Sequence, residues 1–170
     1  METVGGHVML RAVRQQQGFT LIEVLIVIVI MGVMLTIAVP SFRSFTANQR
    51  VKTASFEFYA ALSFARSEAI KRRAAVTVTP VSGNWANGWT VSVPIGGTPT
   101  TLRSQDSLSG VLMTGASSVA YRQDGRLVSG SSIGVLIQPE TAGTGISNRC
   151  IRVDLTGAPK STTTSGSTCP

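Results

Sequence analysis

The stretch of sequence that decides the fold is Gly18–Val39, which reads GFTLIEVLIVIVIMGVMLTIAV. Its last sixteen residues, Val24–Val39, carry no charge and have about the minimum length of a membrane-spanning helix. One carboxylate, Glu23, stands at the start of this run, where it would cost on the order of 3 kcal/mol at a membrane centre if left unpaired. The stretch therefore predicts a membrane anchor whose carboxylate needs a cationic partner.

The flanking residues orient this anchor. Arg11 and Arg14 precede it, so the positive-inside rule leaves the N-terminus in the cytoplasm and sends the rest of the chain across the membrane. An ordinary signal peptide or signal anchor has the same basic and apolar regions. The apolar run is long for a signal peptide, however, and it is followed by Pro40 without a good A-x-A cleavage site.

Composition limits the chemistry of the remaining chain. With 170 residues, the chain has room for one domain besides the anchor. The only histidine is His7, which excludes a histidine-based triad, proton shuttle or metal site from the body of the chain. The body also lacks a paired-carboxylate motif and a phosphate-binding loop, so we expect neither an enzyme nor a metal or cofactor. The net charge of +7 permits contact with polyanions without demonstrating it.

The segment after Pro40 continues as a helix with one apolar face. Glu68 and Arg72 form an i,i+4 pair in the favourable order. We predict one long helix, kinked near Pro40, whose second half packs on a globular body. The predicted apolar stripe consists of Val51, Ala54, Phe58, Leu62, Ala65 and Ala69.

Beyond Arg73 the sequence is rich in Thr, Ser, Gly and Val and predicts a β-rich body. Asp124-Gly125 gives a hairpin signal. The fold class is thus α+β, with a long N-terminal helix packed on a C-terminal antiparallel sheet. The predicted strands are Val76–Thr79, Trp89–Val93, Val111–Thr114, Val119–Arg122, Leu127–Ser129, Val135–Gln138 and Arg149–Leu155.

Alternation within the last of these runs places Ile151, Val153 and Leu155 on one face of the sheet. The tail Ser161–Thr168 is almost all Ser, Thr and Gly, and we expect it to be flexible unless it is tied down. Cys150 and Cys169 have no CxxC pattern, which argues against a redox motif or zinc ribbon. If this region lies outside the cytoplasm, we expect them to form a structural disulfide.

Gly18-Phe19-Thr20-Leu21-Ile22-Glu23, followed by the apolar run, resembles the class III signal of type IV prepilins and pseudopilins. The resemblance implies that a prepilin peptidase cuts after Gly18 and methylates the new amine of Phe19. Counted from Phe19, Glu23 is then residue five, and Gly32 and Pro40 also fall where the family often has them. In that family the glutamate can pair with the terminal amine of a neighbouring subunit, which makes Glu23 a determinant of filament assembly.

Two further segments resemble one branch of this family, the GspH/FimT minor pilins and minor pseudopilins. They are Ala61–Arg72 (ALSFARSEAIKR) and Trp85–Trp89 (WANGW), and the resemblance extends from Gly18 to about Lys160. It implies a pilin-like organisation of the chain. Residues 1–18 form a cytoplasmic leader that is removed, 19–40 the transmembrane half of the helix, 41–75 its amphipathic half, and 76–170 the periplasmic body.

The resemblance implies a structural function, that of a subunit anchored in the bacterial inner membrane and involved in filament initiation and assembly. The filament is a type IV pilus or a type II secretion pseudopilus, and the C-terminal cysteine pair favours the pilus. The implied partners are prepilin peptidase, other pilins or pseudopilins, the inner-membrane assembly platform and membrane lipid.

DNA capture for natural transformation is the alternative function. Arg149, Arg152 and Lys160 lie near the C-terminal end and could attract phosphate groups. The Gly-Arg-x-Arg pattern associated with that activity reads here as Gly157-Ala158-Pro159-Lys160, with both arginines replaced. We therefore rank DNA binding below the structural function.

The class III signal predicts the mature N-terminus. Mass spectrometry of the protein purified from membranes should find an N-methylated Phe19 as the first residue, because the basic leader holds the Gly18–Phe19 junction at the cytoplasmic face. A mature chain that begins at any other residue would contradict this signal.

Overall fold

The computed structural model describes residues 18–141 and 145–169. The predicted leader, including His7, Arg11 and Arg14, thus lies outside the described residues except for Gly18. The chain divides into two compact units, one ending at Val39 and the other beginning at Pro40. A single helix, α1 (Leu21–Arg72), contributes to both units.

In the first unit α1 is apolar all round and exposes its side chains. The mean hydropathy of its most apolar 18-residue window is 2.9, and none of that window is buried. By length and composition, α1 is able to cross a membrane. A helix with apolar side chains on every face needs an apolar environment around it.

In the second unit α1 buries one face. The predicted stripe is confirmed, because none of its residues exposes more than 2% of its surface. Glu68 is also buried, and its carboxylate lies 2.5 Å from Arg72 Nε and 3.7 Å from Lys71 Nζ. The hydrogen bond from Arg72 holds the pKa of Glu68 below its ordinary value. The helix ends at Arg72 and is followed by Arg73, whose φ of 51° is in the left-handed region, and the Ala74 N–H donates to the Ala69 carbonyl.

Two antiparallel four-stranded sheets complete this unit. The strands are β1 (Val76–Pro80), β2 (Trp89–Ile95), β3 (Thr98–Gln105), β4 (Val111–Gly115), β5 (Val119–Tyr121), β6 (Ile133–Pro139), β7 (Asn148–Val153) and β8 (Pro159–Thr164). Their order is β3-β2-β1-β5 in the first sheet and β4-β6-β7-β8 in the second. The predicted α+β class is confirmed.

The core lies between α1 and the inner faces of the two sheets. Phe58 is at its centre and makes edge-to-face contacts with Trp85 and Trp89 at centroid distances of 4.9 and 5.2 Å. The Trp85 indole N–H donates to the Ala116 carbonyl at 2.7 Å, so its polar atom is satisfied although the ring is buried. One aromatic cluster therefore joins the helix to the loop before β2 and to β2 itself.

The strand predictions differ from the structure in several places. Leu127–Ser129 is not a strand, because beyond the Asp124-Gly125 turn only a single bridge joins Leu127 to Tyr121. Leu155 lies beyond the end of β7 and is half exposed, so it does not share the buried face. The tail Ser161–Thr168, expected to be flexible unless tied down, begins within an unpredicted strand, since β8 pairs with β7 along its whole length. The prediction also missed β3, which is exposed at almost every position.

The core arrangement predicts the effect of removing its central ring. Phe58→Ala should lower the free energy of unfolding by about 3–5 kcal/mol, because it leaves a cavity between two tryptophans. Phe56→Ala is the matched control; its ring is 72% exposed, and its free energy of unfolding should change by less than about 0.5 kcal/mol. Denaturant unfolding measures both, and equal effects would contradict this core.

Candidate functional site

The predicted cleavage junction lies in a short non-helical segment before α1. Gly18, Phe19 and Thr20 are exposed and precede the first helical residue, Leu21. A Cβ atom added at Gly18 would meet no atom within 4 Å, and the Phe19 side chain is 82% exposed. Helical backbone would have to unwind before a protease could bind it in an extended form. This junction needs no such unwinding.

Thr20 caps the start of α1. The Glu23 N–H donates to Thr20 Oγ1 at 3.3 Å and to the Thr20 carbonyl at 3.1 Å. Thr20-x-x-Glu23 has the spacing of a capping box, in which the threonine accepts from the third helical N–H. The sequence contains this helix-start signal, which our prediction of the long helix did not include. The cap places the glutamate in the first turn, where the positive end of the helix dipole favours a carboxylate.

Glu23 has no cationic neighbour within the described part of the chain. The ion pairs found among residues 18–141 and 145–169 involve Glu68 and Asp154, and the Glu23 residue itself is exposed. An anionic group on an apolar helix surface requires a partner when water is removed. In this structure that partner must therefore come from outside the described residues.

Gly32 and Pro40 lie on the same helix. A Cβ at Gly32 would meet nothing within 4 Å, so the glycine leaves a small gap on an otherwise bulky apolar surface. Pro40 lies inside α1 and removes one backbone N–H from its hydrogen-bond ladder. A kink at Pro40 stays a prediction.

The predicted disulfide is confirmed. Cys150 on β7 is bonded to Cys169, and their Cα atoms are 5.3 Å apart. Gly134 on β6 lies against this bond, since a Cβ there would come within 2.7 Å of Cys169 Sγ. Asn148 Nδ2 also donates to the Gly166 carbonyl at 3.0 Å. The tail beyond β8 is therefore tied to the sheet at two points.

The three cations proposed for DNA contact do not share one surface. Arg149 lies on the same face of β7 as the buried Ile151, whereas Arg152 alternates to the opposite face. Arg152 is paired in register with Lys160, and it donates to Ser132 Oγ at 2.9 Å. The structure thus separates Arg149 from the other two.

Lys160 is engaged locally. Its Nζ lies 3.3 Å from Asp154 Oδ2, and Asp154 also accepts from the Thr156 hydroxyl. The hydrogen bond from Thr156, aided by Lys160, holds the pKa of Asp154 below its usual range. The lysine therefore neutralises a carboxylate beside it.

Arg66 is a structural residue that the sequence analysis missed. From the last two turns of α1 its guanidinium donates to the carbonyls of Gly125 and Thr156, each at 3.1 Å. Gly157 has a φ of +80°, and a Cβ there would run into the Gly125 carbonyl. The glycine of the Gly157–Lys160 segment is thus required by loop packing. No sequence pattern distinguished Arg66 from the exposed cations of the helix.

Within the residues that the structure describes, no group of three or more histidine, cysteine, aspartate or glutamate side chains could hold a metal ion. The candidate functional features described above are the helix start, the apolar helix surface and the disulfide-tied sheet.

Two family models match this chain. The model of type II transport protein GspH matches residues 54–157, and the prokaryotic N-terminal methylation motif matches residues 13–39. The first match covers α1 from Ala54 onward and strands β1 to β7. The second covers the predicted cleavage junction, Glu23 and the apolar run.

Curated relatives match over part of their length. A fimbrial protein of Pseudomonas aeruginosa is 34% identical over 85 residues, which cover 49% of this chain and 55% of the relative. The type IV major fimbrial protein FimA of Dichelobacter nodosus is 32% identical over 96 residues, covering 54% and 53%. The chain thus spans about half the length of the curated relatives it matches.

Two solved structures share the fold. The type IV minor pilin FimU of P. aeruginosa superposes with a TM-score of 0.59 at 22% identity, covering 74% of this chain and 96% of FimU. The minor pseudopilin EpsH of the Vibrio cholerae type 2 secretion system superposes with a TM-score of 0.56 at 12% identity, covering 69% and 99%.

The disulfide predicts a redox-dependent stability. Reducing the bond should lower the free energy of unfolding by about 3 kcal/mol, because it closes a loop between residues 19 apart in sequence. Denaturant unfolding with and without reductant measures this difference. The Cys150→Ser/Cys169→Ser protein should not respond to reductant, and an equal response in both proteins would contradict the assignment.

Proposed function

Because this chain belongs to the GspH family and contains the prokaryotic N-terminal methylation motif, we propose that it is a structural subunit of a type IV pilus or type II secretion pseudopilus. The observation that carries the proposal is the helix start. The carboxylate of Glu23 stands in the first turn of an apolar helix that Thr20 caps, four residues after an exposed Phe19. That arrangement suits assembly between subunits and offers no catalytic chemistry.

Processing would occur at the exposed segment before the helix. We propose that a prepilin peptidase cleaves between Gly18 and Phe19 at the cytoplasmic face and that the new Phe19 amine is methylated. The non-helical backbone and open surroundings of Gly18 support this step. Cleavage would remove residues 1–18 and leave a cationic amine at the start of the apolar helix.

Pairing between subunits would then drive assembly. The Glu23 carboxylate has no cation on its own described chain, and the Phe19 amine of a neighbouring subunit would supply one. A charge pair in an apolar environment offsets its desolvation only when both partners are present. A subunit placed out of register would leave both charges unpaired, so the pair would select the correct stacking of helices.

The two units of the chain would have separate tasks. We propose that residues 19–40 anchor the subunit in the inner membrane and later line the filament interior, while 41–75 and 76–170 form the periplasmic body. The exposed apolar surface of α1 in the first unit supports contact with lipid before assembly and with other pilins or pseudopilins after it. The inner-membrane assembly platform would transfer the subunit between these states. The solved relatives include a minor pilin and a minor pseudopilin.

Replacing the carboxylate tests the proposal. Glu23→Val should leave the protein inserted in the membrane and its unfolding unchanged, yet reduce its amount in sheared filaments by about tenfold or more, because only assembly supplies the cationic partner. Immunoblots of membrane and filament fractions measure both amounts.

Glu140→Val is the matched control, since it makes the same chemical change at an exposed site of the body. It should enter filaments like the unchanged protein. Normal incorporation of Glu23→Val, or equal loss in both variants, would contradict the role of Glu23.

A further inference from the structure

A groove of about 530 Å³ lies between α1 and the second sheet, away from the helix start. Its walls include Lys52, Phe56 and Tyr59 of the helix, together with Arg149 of β7 and Ser161 of β8. These helix residues recur at spacings of four and three, so they form a second stripe beside the buried one. The groove therefore lies at the edge of the core.

Two aromatic rings are left without a full covering of protein in this groove. Phe56 exposes 72% of its surface and Tyr59 38%. Adjacent exposed aromatic side chains bury large apolar areas when a partner covers them, and they are enriched at binding surfaces. The two rings thus form an exposed apolar surface within the groove.

One wall of the groove is an open sheet edge. β8 is the last strand of its sheet and pairs only with β7. Ser161 and Thr163 share the helix-facing side with their register partners Ile151 and Arg149. Edge strands present unpaired backbone N–H and C=O groups that can pair with another strand. β8 therefore offers hydrogen-bonding groups along the groove.

The outer edge of β8 lacks the features that block strand addition at the β3 edge of the first sheet. β3 carries Pro99 and has an irregular register with β2 at Val91/Ser92, and such features prevent strand addition. On β8 the proline is the first residue, and Lys160 points to the face opposite the helix, where it meets Asp154. Ser161–Thr164 contains neither proline nor charge.

The disulfide leaves this edge accessible. Cys150 alternates with Arg149 and Ile151 on β7, so its side chain lies on the sheet face opposite the helix. The bond to Cys169 holds the C-terminal tail on that opposite face. The tail is therefore kept out of the groove.

Two cationic side chains in the groove favour an anionic partner. Neither Lys52 nor Arg149 forms an ion pair with a carboxylate of residues 18–141 or 145–169, including Glu57 on the same helix. Two uncompensated cations favour a ligand with a carboxylate. A second copy of this chain would bring the same two cations against them, which disfavours self-association through this groove.

We propose that the groove binds an extended, carboxylate-bearing segment of another protein, which adds as a strand to β8. Its apolar side chains would cover Phe56 and Tyr59, and its carboxylate would lie between Lys52 and Arg149. A backbone edge suits a peptide better than a nucleic acid, which would need more than two cations. The site is independent of Glu23, so this proposal and the filament function can fail separately.

The test uses the mature full-length protein in detergent micelles. The probe is a panel of fluorescent eight-residue peptides that alternate valine, leucine or phenylalanine with threonine and carry a glutamate at either end. Fluorescence anisotropy should show saturable binding of at least one peptide. Methylating alternate backbone nitrogens of that peptide, or replacing its glutamate by lysine, should weaken binding by about fivefold or more.

Two double variants test whether the peptide binds in the groove. Phe56→Ala/Tyr59→Ala should weaken binding by about tenfold, and Lys52→Gln/Arg149→Gln by about fivefold at low salt. Val128→Ala and Arg122→Gln are matched controls at exposed positions outside the groove and should bind normally. Thermal unfolding of each variant verifies its fold.

Several results would overturn the proposal. These are no saturable binding by any peptide, equal binding of the backbone-methylated peptide, or unchanged binding in both groove variants. Tighter binding of a 20-nucleotide single strand that depends on the same residues would assign the groove to nucleic acid instead. A dimer lost in Phe56→Ala/Tyr59→Ala would assign it to a second copy.

Discussion

The packing of one helix face against two sheets is the interaction on which the rest of this structure depends. Four of the six residues in the buried stripe of α1 are small or β-branched, and the alanines let the sheets approach the helix closely. Phe58 then fills the space that remains and meets Trp85 and Trp89. Because this single face holds both sheets, the other faces of the helix are left available for contacts with other molecules.

The same helix serves two different environments, and its side chains change accordingly. Before Pro40 every face is apolar, and after it polar and charged residues surround the buried stripe. Glu23 is the exception in the first part. Because an unpaired carboxylate is energetically costly in an apolar environment, this residue requires a cationic partner. An apolar residue there would insert equally well in a membrane, but it could not form the charge pair that we propose between neighbouring subunits.

Polar contacts in the body hold its loops and strands in position. Arg66 joins two loops through their carbonyls, Lys160 neutralises Asp154, and the disulfide fixes the tail behind the second sheet. Together they leave the outer edge of β8 open beside Phe56 and Arg149. The two faces of the second sheet thus differ. The face away from the helix is held by the disulfide and the Lys160–Asp154 ion pair, and the face toward the helix borders uncovered aromatic and cationic groups.

The sequence by itself determined the features that repeat at short range. The spacing of apolar residues identified the stripe of α1, and Gly18–Glu23 indicated the N-terminal methylation motif, because both patterns lie within a few helical turns. Strands with one buried face, such as β1 and β7, were also predicted from their apolar residues. β3 and β8 were missed because neither has a face packed in the core and therefore neither shows a strong apolar alternation.

Only the tertiary structure decided which distant residues meet. Arg149 and Arg152 are three residues apart, yet the pleat of β7 sends them to opposite faces, and the cations therefore do not combine with Lys160 as one surface. Likewise, Phe56 and Phe58 look alike in the sequence, but the rotation of the helix buries one and exposes the other. The groove at β8 exists because residues about a hundred positions apart in the sequence lie together there, and no local sequence pattern predicts such a contact.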